Sequence, residues 1–282
     1  MITRFAPSPT GPLHLGHAYS AIFAHDMARK AGGQFLLRIE DIDQSRARPH
    51  WEEQIYDDLR WLGLTWDGPI LRQSDRLNIY RETLETLWES DLLFACTCTR
   101  RDIEAAASAP QEGVQYGPDG LIYPGTCRER GARRPGAPLP DSALRLNMTR
   151  AARDIRFEEI CALHKGTHEV SRADLIDKVG DVVLARREMG TSYHLAVVLD
   201  DAAEGITHVT RGADLFDATQ IHVLLQALLE LPKPTYCHHD LIRDENGKRL
   251  AKRDDARAIA KYREDGATPD DIRRMVGLPA SS

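Results

Sequence analysis

No stretch of the chain approaches 18 consecutive apolar residues, and no basic segment leading into an apolar one opens it. A membrane span and a secretory leader are therefore not expected, and the cytoplasm is the expected compartment. Cysteine is scarce: the 282 residues include five, Cys96, Cys98, Cys127, Cys161 and Cys237. An odd count in a chain without a leader argues against a disulfide framework. No internal repeat is present. Basic residues do not dominate either, since 37 Lys and Arg face 43 Asp and Glu for a formal net charge of −6. That balance argues against indiscriminate nucleic-acid binding but leaves a local basic face open. Two arginine-rich clusters stand out: Arg128, Arg130, Arg133 and Arg134, then Arg243, Lys248, Arg249, Lys252 and Arg253. What remains is ordinary for a globular protein, with 42% hydrophobic and 28% charged residues. The length allows one large or two modest domains with an ample core.

The stretch from Arg4 to His17 organises the rest. A short apolar start leads into a turn fixed by proline and glycine, and then a run of helix formers begins near Gly16 and ends at Gly32-Gly33. A helix N-terminus carries unpaired N–H groups and a partial positive charge, so it suits a phosphate. His14 and His17 flank Gly16 there, where a ligand can approach the backbone closely. Residues 34–40 read as a buried strand, which completes a strand–helix–strand unit and implies a parallel sheet. Ligands of such sheets sit at the carboxyl ends of the strands, where residues 4–8 and 40–43 both emerge. Glu40, Asp41 and Asp43 there suit polar ligand groups or a pair with Arg46 better than a magnesium site.

Helical spacing of apolar residues marks 50–62 and 75–90, with a loop over 63–73. Trp61 and Trp66 are expected to pack in the core. After a strand at 92–96, periodicity fades over 97–141, and so long a stretch needs something to staple it. Strands are expected at 143–148, 154–157, 180–187, 205–211 and 236–243, and a helix or strand at 193–201. A strongly apolar helix spans 215–231, and two short helices, 255–264 and 269–275, finish the chain. Within 247–253 a glycine turn precedes four basic residues, an arrangement that can set a lysine against a phosphate gaining charge.

These motifs resemble those of the class I aminoacyl-tRNA synthetases. Residues 7–17 resemble their HIGH motif, with Leu15 in place of isoleucine. Residues 249–253 resemble their KMSKS loop, with Arg249, Ala251 and Arg253 substituted and Lys252 retained. Ser192 to Val198 and Val209 to Asp214 are similar to the glutamyl/glutaminyl branch. The resemblance implies an α/β fold: a Rossmann-type parallel sheet with an inserted zinc-containing subdomain and a short helical C-terminal part. Its implied division is 1–95 and 181–235 for the catalytic core, 96–180 for the insert, and 236–282 for the lysine loop and the helices beyond it. It also implies that His14, Gly16, His17, Arg249, Leu250 and Lys252 bind ATP, with His14, His17 and Lys252 catalytic. Arg4, Phe5, Ala6, Pro7, Ser8, Glu40, Tyr193 and Arg211 match positions that bind glutamate. Mg²⁺ is expected with ATP.

Only 29 residues follow Arg253, so a separate anticodon-binding domain is not expected. That resembles the truncated paralogues, the glutamyl-Q tRNA(Asp) synthetases. Their implied partners are ATP, L-glutamate and the queuosine-bearing anticodon stem-loop of tRNA(Asp), and the expected state is a monomer. The enzymatic alternative is a fragment that charges the 3′ end of tRNA(Glu). Cys96, Cys98 and Cys127 supply three soft ligands at a spacing suited to one structural Zn²⁺. The family pattern implies Tyr123 as the fourth, with Tyr116 the rival. In 237–240 the alternation of strand side chains argues against a second metal, and Cys161 and His164 are expected to be ordinary.

Overall fold

The computed structural model describes residues 1–107, 115–242 and 257–280. Strand β1 (Ile2–Phe5), helix α1 (Leu15–Lys30) and strand β2 (Gln34–Ile39) form the expected unit, with β1 parallel to β2 and Arg4 opposite Leu36. The buried face of α1 is built largely of Ala18, Ala21, Ala24 and Ala28, whose small side chains let the helix lie close to the strands. Gly32 ends the helix with φ +61°, and a side chain on Gly33 would place its Cβ 2.0 Å from the Met1 carbonyl oxygen. Both glycines are therefore required by the turn.

Helix α2 (Pro49–Trp61) follows, then strand β3 (Leu71–Arg72), which extends the sheet parallel to β2. Residues 63–73, expected as a loop, thus contain a strand too short to leave a periodic signal. After α3 (Leu77–Glu89) comes β4 (Leu93–Cys96). The aperiodic stretch holds α4 (Arg100–Ala107) and a small hairpin, β5 (Tyr116–Gly117) and β6 (Gly120–Leu121). The chain continues through β7 (Ala143–Leu146), α5 (Met148–Ala151), β8 (Ile155–Glu159), β9 (Gly166–Val170) and α6 (Arg172–Asp174). Strand β10 (Val183–Ala185) lies beside β7, so that β4, β7 and β10 make one antiparallel sheet.

Residues 193–201 resolve as helix α7 (Tyr193–Ala203), started by the Ser192 hydroxyl accepting from the Leu195 N–H. Strand β11 (His208–Gly212) and, after α8 (Thr219–Leu228), strand β12 (Thr235–His239) pair in parallel. Helix α8 starts four residues later than expected, because a tight helical turn at Ala213–Leu215 precedes it. Helices α9 (Ile259–Glu264) and α10 (Pro269–Met275) end the described chain. The sheet order is β11-β12-β8-β9, so β8 pairs with β12 although it lies within 96–180. The first sheet meets this one where the Thr207 N–H donates to the Ile2 carbonyl at 3.0 Å. The Ile2 N–H in turn donates to the Thr207 hydroxyl at 2.8 Å.

One expectation about a single residue needs correction. Cys161 is not an unpaired thiol: it forms a disulfide with Cys237 across 76 positions. The pairing follows from topology, because the Ile160 N–H bonds the Tyr236 carbonyl and so seats the end of β8 beside β12. In the arginine cluster near residue 130, two side chains are engaged within the chain. Arg128 binds buried Asp181 at 2.7 Å and Arg130 donates to Cys127 Sγ at 3.1 Å. Trp61 and Trp66 pack against the core under α1, as expected. Among the described residues no helix is long and apolar enough to cross a membrane.

Asp58 on α2 is 1% exposed, and its Oδ2 has no hydrogen-bond partner. Burial, with Asp57 adding to it, raises its pKa to about 7. Between the unfolded value near 4 and about 7 the folded state holds a proton that the unfolded state has lost, so stability falls as pH rises. Asp58→Asn is expected to flatten that decline and to raise stability at pH 8 by up to about 4 kcal/mol, read by urea denaturation across pH 4–8.

Candidate active site

A cleft of about 570 Å³ opens at the carboxyl ends of β1, β2, β11 and β12. It takes in Arg4, Phe5, Ala6 and Ser8 from the end of β1, and His14, Gly16 and His17 from the head of α1. Glu40 follows β2, Tyr193 opens α7 and Arg211 sits on β11. Pro7 is the expected site residue not on the wall: its carbonyl accepts the Glu40 N–H at 3.0 Å and ties the two strand ends together. Arg249, Leu250 and Lys252 lie outside the described residues. The flanking chain is described: Leu241 and Ile242 line the cleft, and the Ile259 N–H donates to the Leu13 carbonyl at 2.8 Å.

The histidines cap the helix that carries them. The His14 Nδ1 accepts from the Gly16 N–H at 3.1 Å, and the His14 N–H donates to the His17 Nδ1 at 3.2 Å. Their rings stack with centroids 3.8 Å apart. A Cβ on Gly16 would lie 3.0 Å from the His14 ring, so glycine lets the imidazole fold over the helix start. The result is an anion-favouring helix end with two imidazoles above it.

Beneath the cleft a buried ion cluster joins the halves of the chain. Arg4 Nε donates to Asp201 Oδ1 at 2.9 Å, and Arg38 reaches the same oxygen at 2.7 Å. Arg38 also binds Glu204 at 2.8 Å and Glu40 at 3.4 Å. Burial works to raise the Asp201 pKa, but the two guanidinium groups outweigh it and hold the carboxyl below its usual range. For Glu40 burial wins over Arg38 and Arg4, and its pKa is raised. The cluster sets two cations against three carboxylates.

Arg211 is placed differently. Its Nε donates to His238 Nε2 at 3.0 Å, and one terminal nitrogen donates to His222 Nδ1 at 2.9 Å and to the Tyr193 hydroxyl at 3.5 Å. The other terminal nitrogen donates to the Thr219 hydroxyl at 2.8 Å and the Leu215 carbonyl at 3.2 Å. None of these acceptors is a carboxylate. Glu159 stands one step back, 2.6 Å from His238 Nδ1.

Away from the cleft, the sulfurs of Cys96, Cys98 and Cys127 lie within 4.8 Å of one another. The Tyr123 hydroxyl is 3.5 Å from Cys96 Sγ and from Cys98 Sγ, and it accepts the Cys127 N–H at 2.8 Å. Tyr116, by contrast, is 76% exposed on β5. Three thiols and a phenol oxygen converge in a donor set suited to a thiophilic ion. Arg145 donates to Cys96 Sγ at 3.4 Å, with its guanidinium 4.0 Å from the Tyr123 ring centroid. Like Arg130, it would balance negative charge on the sulfurs.

The description "tRNA synthetases class I (E and Q), catalytic domain" fits residues 1–280. A glutamyl-Q tRNA(Asp) synthetase of Rhodobacter capsulatus is 69% identical over 278 residues, covering 99% of this chain and 100% of that protein. The chain belongs to the glutamyl-Q tRNA(Asp) synthetase family of class I synthetases. It is thus a ligase of the aminoacyl-tRNA synthetase type, built on the α/β fold expected of one. A protein of the same name from Symbiobacterium thermophilum is 41% identical, covering 95% of this chain and 83% of the relative. Among solved structures, a glutamate tRNA ligase from Elizabethkingia meningosepticum in complex with its amino acid superposes with a TM-score of 0.77 at 29% identity. That likeness covers 99% of this chain, which spans 60% of the solved one.

In this family member several residues in or beneath the cleft carry no sequence signal. Asp201 and Arg38 look like surface charges on a helix and a strand, yet both are buried. His239, which the sequence offers at most as a metal ligand, lines the cleft, and its Nε2 lies 2.9 Å from the Ser20 hydroxyl. The acids expected at the strand end separate: Asp41 accepts from Ser74, Asp43 pairs with Arg46, and Glu40 alone faces the cleft. Asp201→Asn would remove the one carboxylate that buried Arg4 binds and that Arg38 shares. It is expected to cost about 3–5 kcal/mol of stability, measured by chemical denaturation at pH 7.

Proposed function

We propose that the enzyme activates L-glutamate with ATP, without needing tRNA, and then passes the glutamyl group to the queuosine base in the anticodon of tRNA(Asp). The observation that carries the glutamate reading is charge complementarity across the cleft. On one side Arg211 has five neutral hydrogen-bond acceptors and no carboxylate among them. On the other side Glu40 belongs to a cluster with one carboxylate more than it has guanidinium groups. Glutamate fits: its side-chain carboxylate meets Arg211 and the Tyr193 hydroxyl, and its α-ammonium meets Glu40. Arg4, with its fork held on Asp201, and Phe5, Ala6 and Ser8 shape the same wall, and Pro7 ties the two strand ends together behind it.

In this reading ATP phosphates lie at the head of α1, against Gly16, His14 and His17, with Arg249 and Leu250 beside the nucleotide. An oxygen of the substrate α-carboxylate attacks the α-phosphorus, the bond to the β-phosphate oxygen breaks, and pyrophosphate leaves. Lys252 stabilises the charge that grows on the phosphoryl oxygens, as a preorganised cation can. No protein nucleophile takes part; positioning and electrostatics carry the step. Mg²⁺ supplies charge neutralisation on the phosphates when ATP is bound. In the second step a nucleophilic group of the queuosine base attacks the acyl carbon, and AMP departs. Residues 1–95 and 181–235 form the activating core in this proposal, joined by β8. The rest of 96–180 forms the insert stapled by Zn²⁺ on Cys96, Cys98, Tyr123 and Cys127, and 236–282 carries the lysine loop and terminal helices.

Glutamate-dependent ATP–pyrophosphate exchange is expected without any tRNA, and Lys252→Ala is expected to lower its rate by about 10²–10³-fold. Labelled glutamate is expected on tRNA from queuosine-containing cells and not on tRNA from queuosine-deficient cells. Labelling that ignores queuosine but is lost after periodate oxidation of the 3′ ribose would instead indicate charging at the 3′ end. For the staple, one zinc per chain is expected by mass spectrometry of the purified protein. Cys98→Ser or chelation is expected to release it and to lower the melting temperature.

A further inference from the structure

The hydrogen bonds around Arg211 continue outward. Beyond His222, whose Nε2 lies 3.1 Å from His194 Nδ1, His194 Nε2 lies 3.2 Å from an oxygen of Asp119. Asp119 sits between β5 and β6, in the stretch where the sequence shows no periodicity. One continuous chain therefore runs from Glu159 through His238, Arg211, His222 and His194 to Asp119.

A guanidinium has only donors, so its partners must present lone pairs. His238 must accept at Nε2, and its proton sits on Nδ1, facing Glu159. His222 must accept at Nδ1, and its proton sits on Nε2, facing His194. His194 must then accept at Nδ1 and give its Nε2 proton to Asp119. Every histidine in the chain is neutral and held in one tautomer. Burial among cations, which pushes the His222 pKa well down, agrees with this. His222 also shares one nitrogen of Arg211 with the Tyr193 hydroxyl. Holding one hydrogen of that planar amino group on His222 turns the other toward Tyr193 and the cleft.

We infer that His222, His194 and Asp119 are positioning residues that fix Arg211 for the substrate carboxylate, with the β5–β6 hairpin as the outer anchor. This rests on the reading of Arg211 as the carboxylate ligand. The anchor matters because the chain has a reversed form. If His194 moves its proton to Nδ1, His222 must accept at Nε2 and carry its own proton on Nδ1, which then faces an Arg211 N–H. Two donors at the 2.9 Å separation found there repel. The Asp119 carboxylate excludes that reversal, since it can only accept. His194 also borders a second cavity of about 390 Å³ with Asp119 on its wall, so without the carboxylate its ring edge meets water that imposes no tautomer.

The test uses the full-length enzyme with ¹⁵N-labelled histidine and glutamate-dependent pyrophosphate exchange. In the unmodified protein, long-range ¹H–¹⁵N spectra are expected to show His238 protonated on Nδ1 and His222 and His194 on Nε2. Any other pattern overturns the inference, and no variant needs to fold for that result. Asp119→Ala, near the surface, is expected to give His194 a mixture of tautomers and to raise the KM for glutamate about 5–10-fold, leaving the KM for ATP within twofold. Asp119→Asn, whose amide oxygen can still accept, is expected to restore most of the loss. A glutamate KM unchanged in Asp119→Ala, or ATP and glutamate KM rising together, overturns it. Arg211→Ala separates the premises: a glutamate KM unaffected there would sink the Arg211 reading itself, whatever the tautomers show.

Discussion

Asp201 accepts from two arginines that arrive on neighbouring strands, Arg4 from β1 and Arg38 from β2. Its neighbour in α7, Asp200, turns the other way and takes Gln73, Arg76 and Tyr80 from the segment leading into and along α3. Consecutive helix residues point about 100° apart, so one turn of α7 grips two layers at once. The placement of the cleft depends on this grip. It sets the end of β1 beside α7 and β11, and so brings Arg4 and Glu40 into the same opening as Tyr193 and Arg211. Buried charges are costly unless paired, which makes the arrangement all-or-none.

The two charged regions of the cleft are built on opposite plans. Arg4 and Arg38 are paired with carboxylates, and the surplus acid is Glu40. Arg211 is satisfied by neutral rings, hydroxyls and a carbonyl, and Glu159 reaches it only through an intervening imidazole. Neutral acceptors fix the orientation of a guanidinium without cancelling its charge. A site made that way is rigid yet still attracts an anion, the combination that preorganised recognition requires.

Sequence legibility followed the range of the interactions. The β1–turn–α1 segment could be read because its determinants are local: the histidine cap, Gly16 under an imidazole, alanines on one helix face, and the glycine pair at the turn. The cleft residues within that motif were legible for the same reason, as was the convergence of β1 and β2 at their carboxyl ends. Cys96, Cys98 and Cys127 could be read from spacing. The choice of Tyr123 over Tyr116 rests on the phenol oxygen sitting beside two sulfurs, which spacing cannot convey. Asp201, His222 and Asp119 were opaque, because each is a single polar residue whose meaning comes from partners far away in sequence. The disulfide between Cys161 and Cys237 escaped for that reason too, since it depends on β8 lying beside β12. β3 and β9 escaped because their residues are too few or too polar to alternate visibly.

The bond pair between Ile2 and Thr207 closes a loop of 205 positions. Strand β1 thus finds one of its neighbours only after 205 further positions have been made. Chains grow from the ribosome N-terminus first. Until α7 and β11 emerge, Arg4 and Arg38 have no Asp201 to receive them, and β1 has an open edge. The first strand–helix–strand unit is therefore complete in outline early in synthesis but lacks Asp201 and Glu204 until late. An enzyme nascent on the ribosome would carry Arg4 without its counter-charge, and Arg38 with Glu40 alone, under an exposed strand edge until α7 and β11 emerge, the kind of surface that chaperones shield.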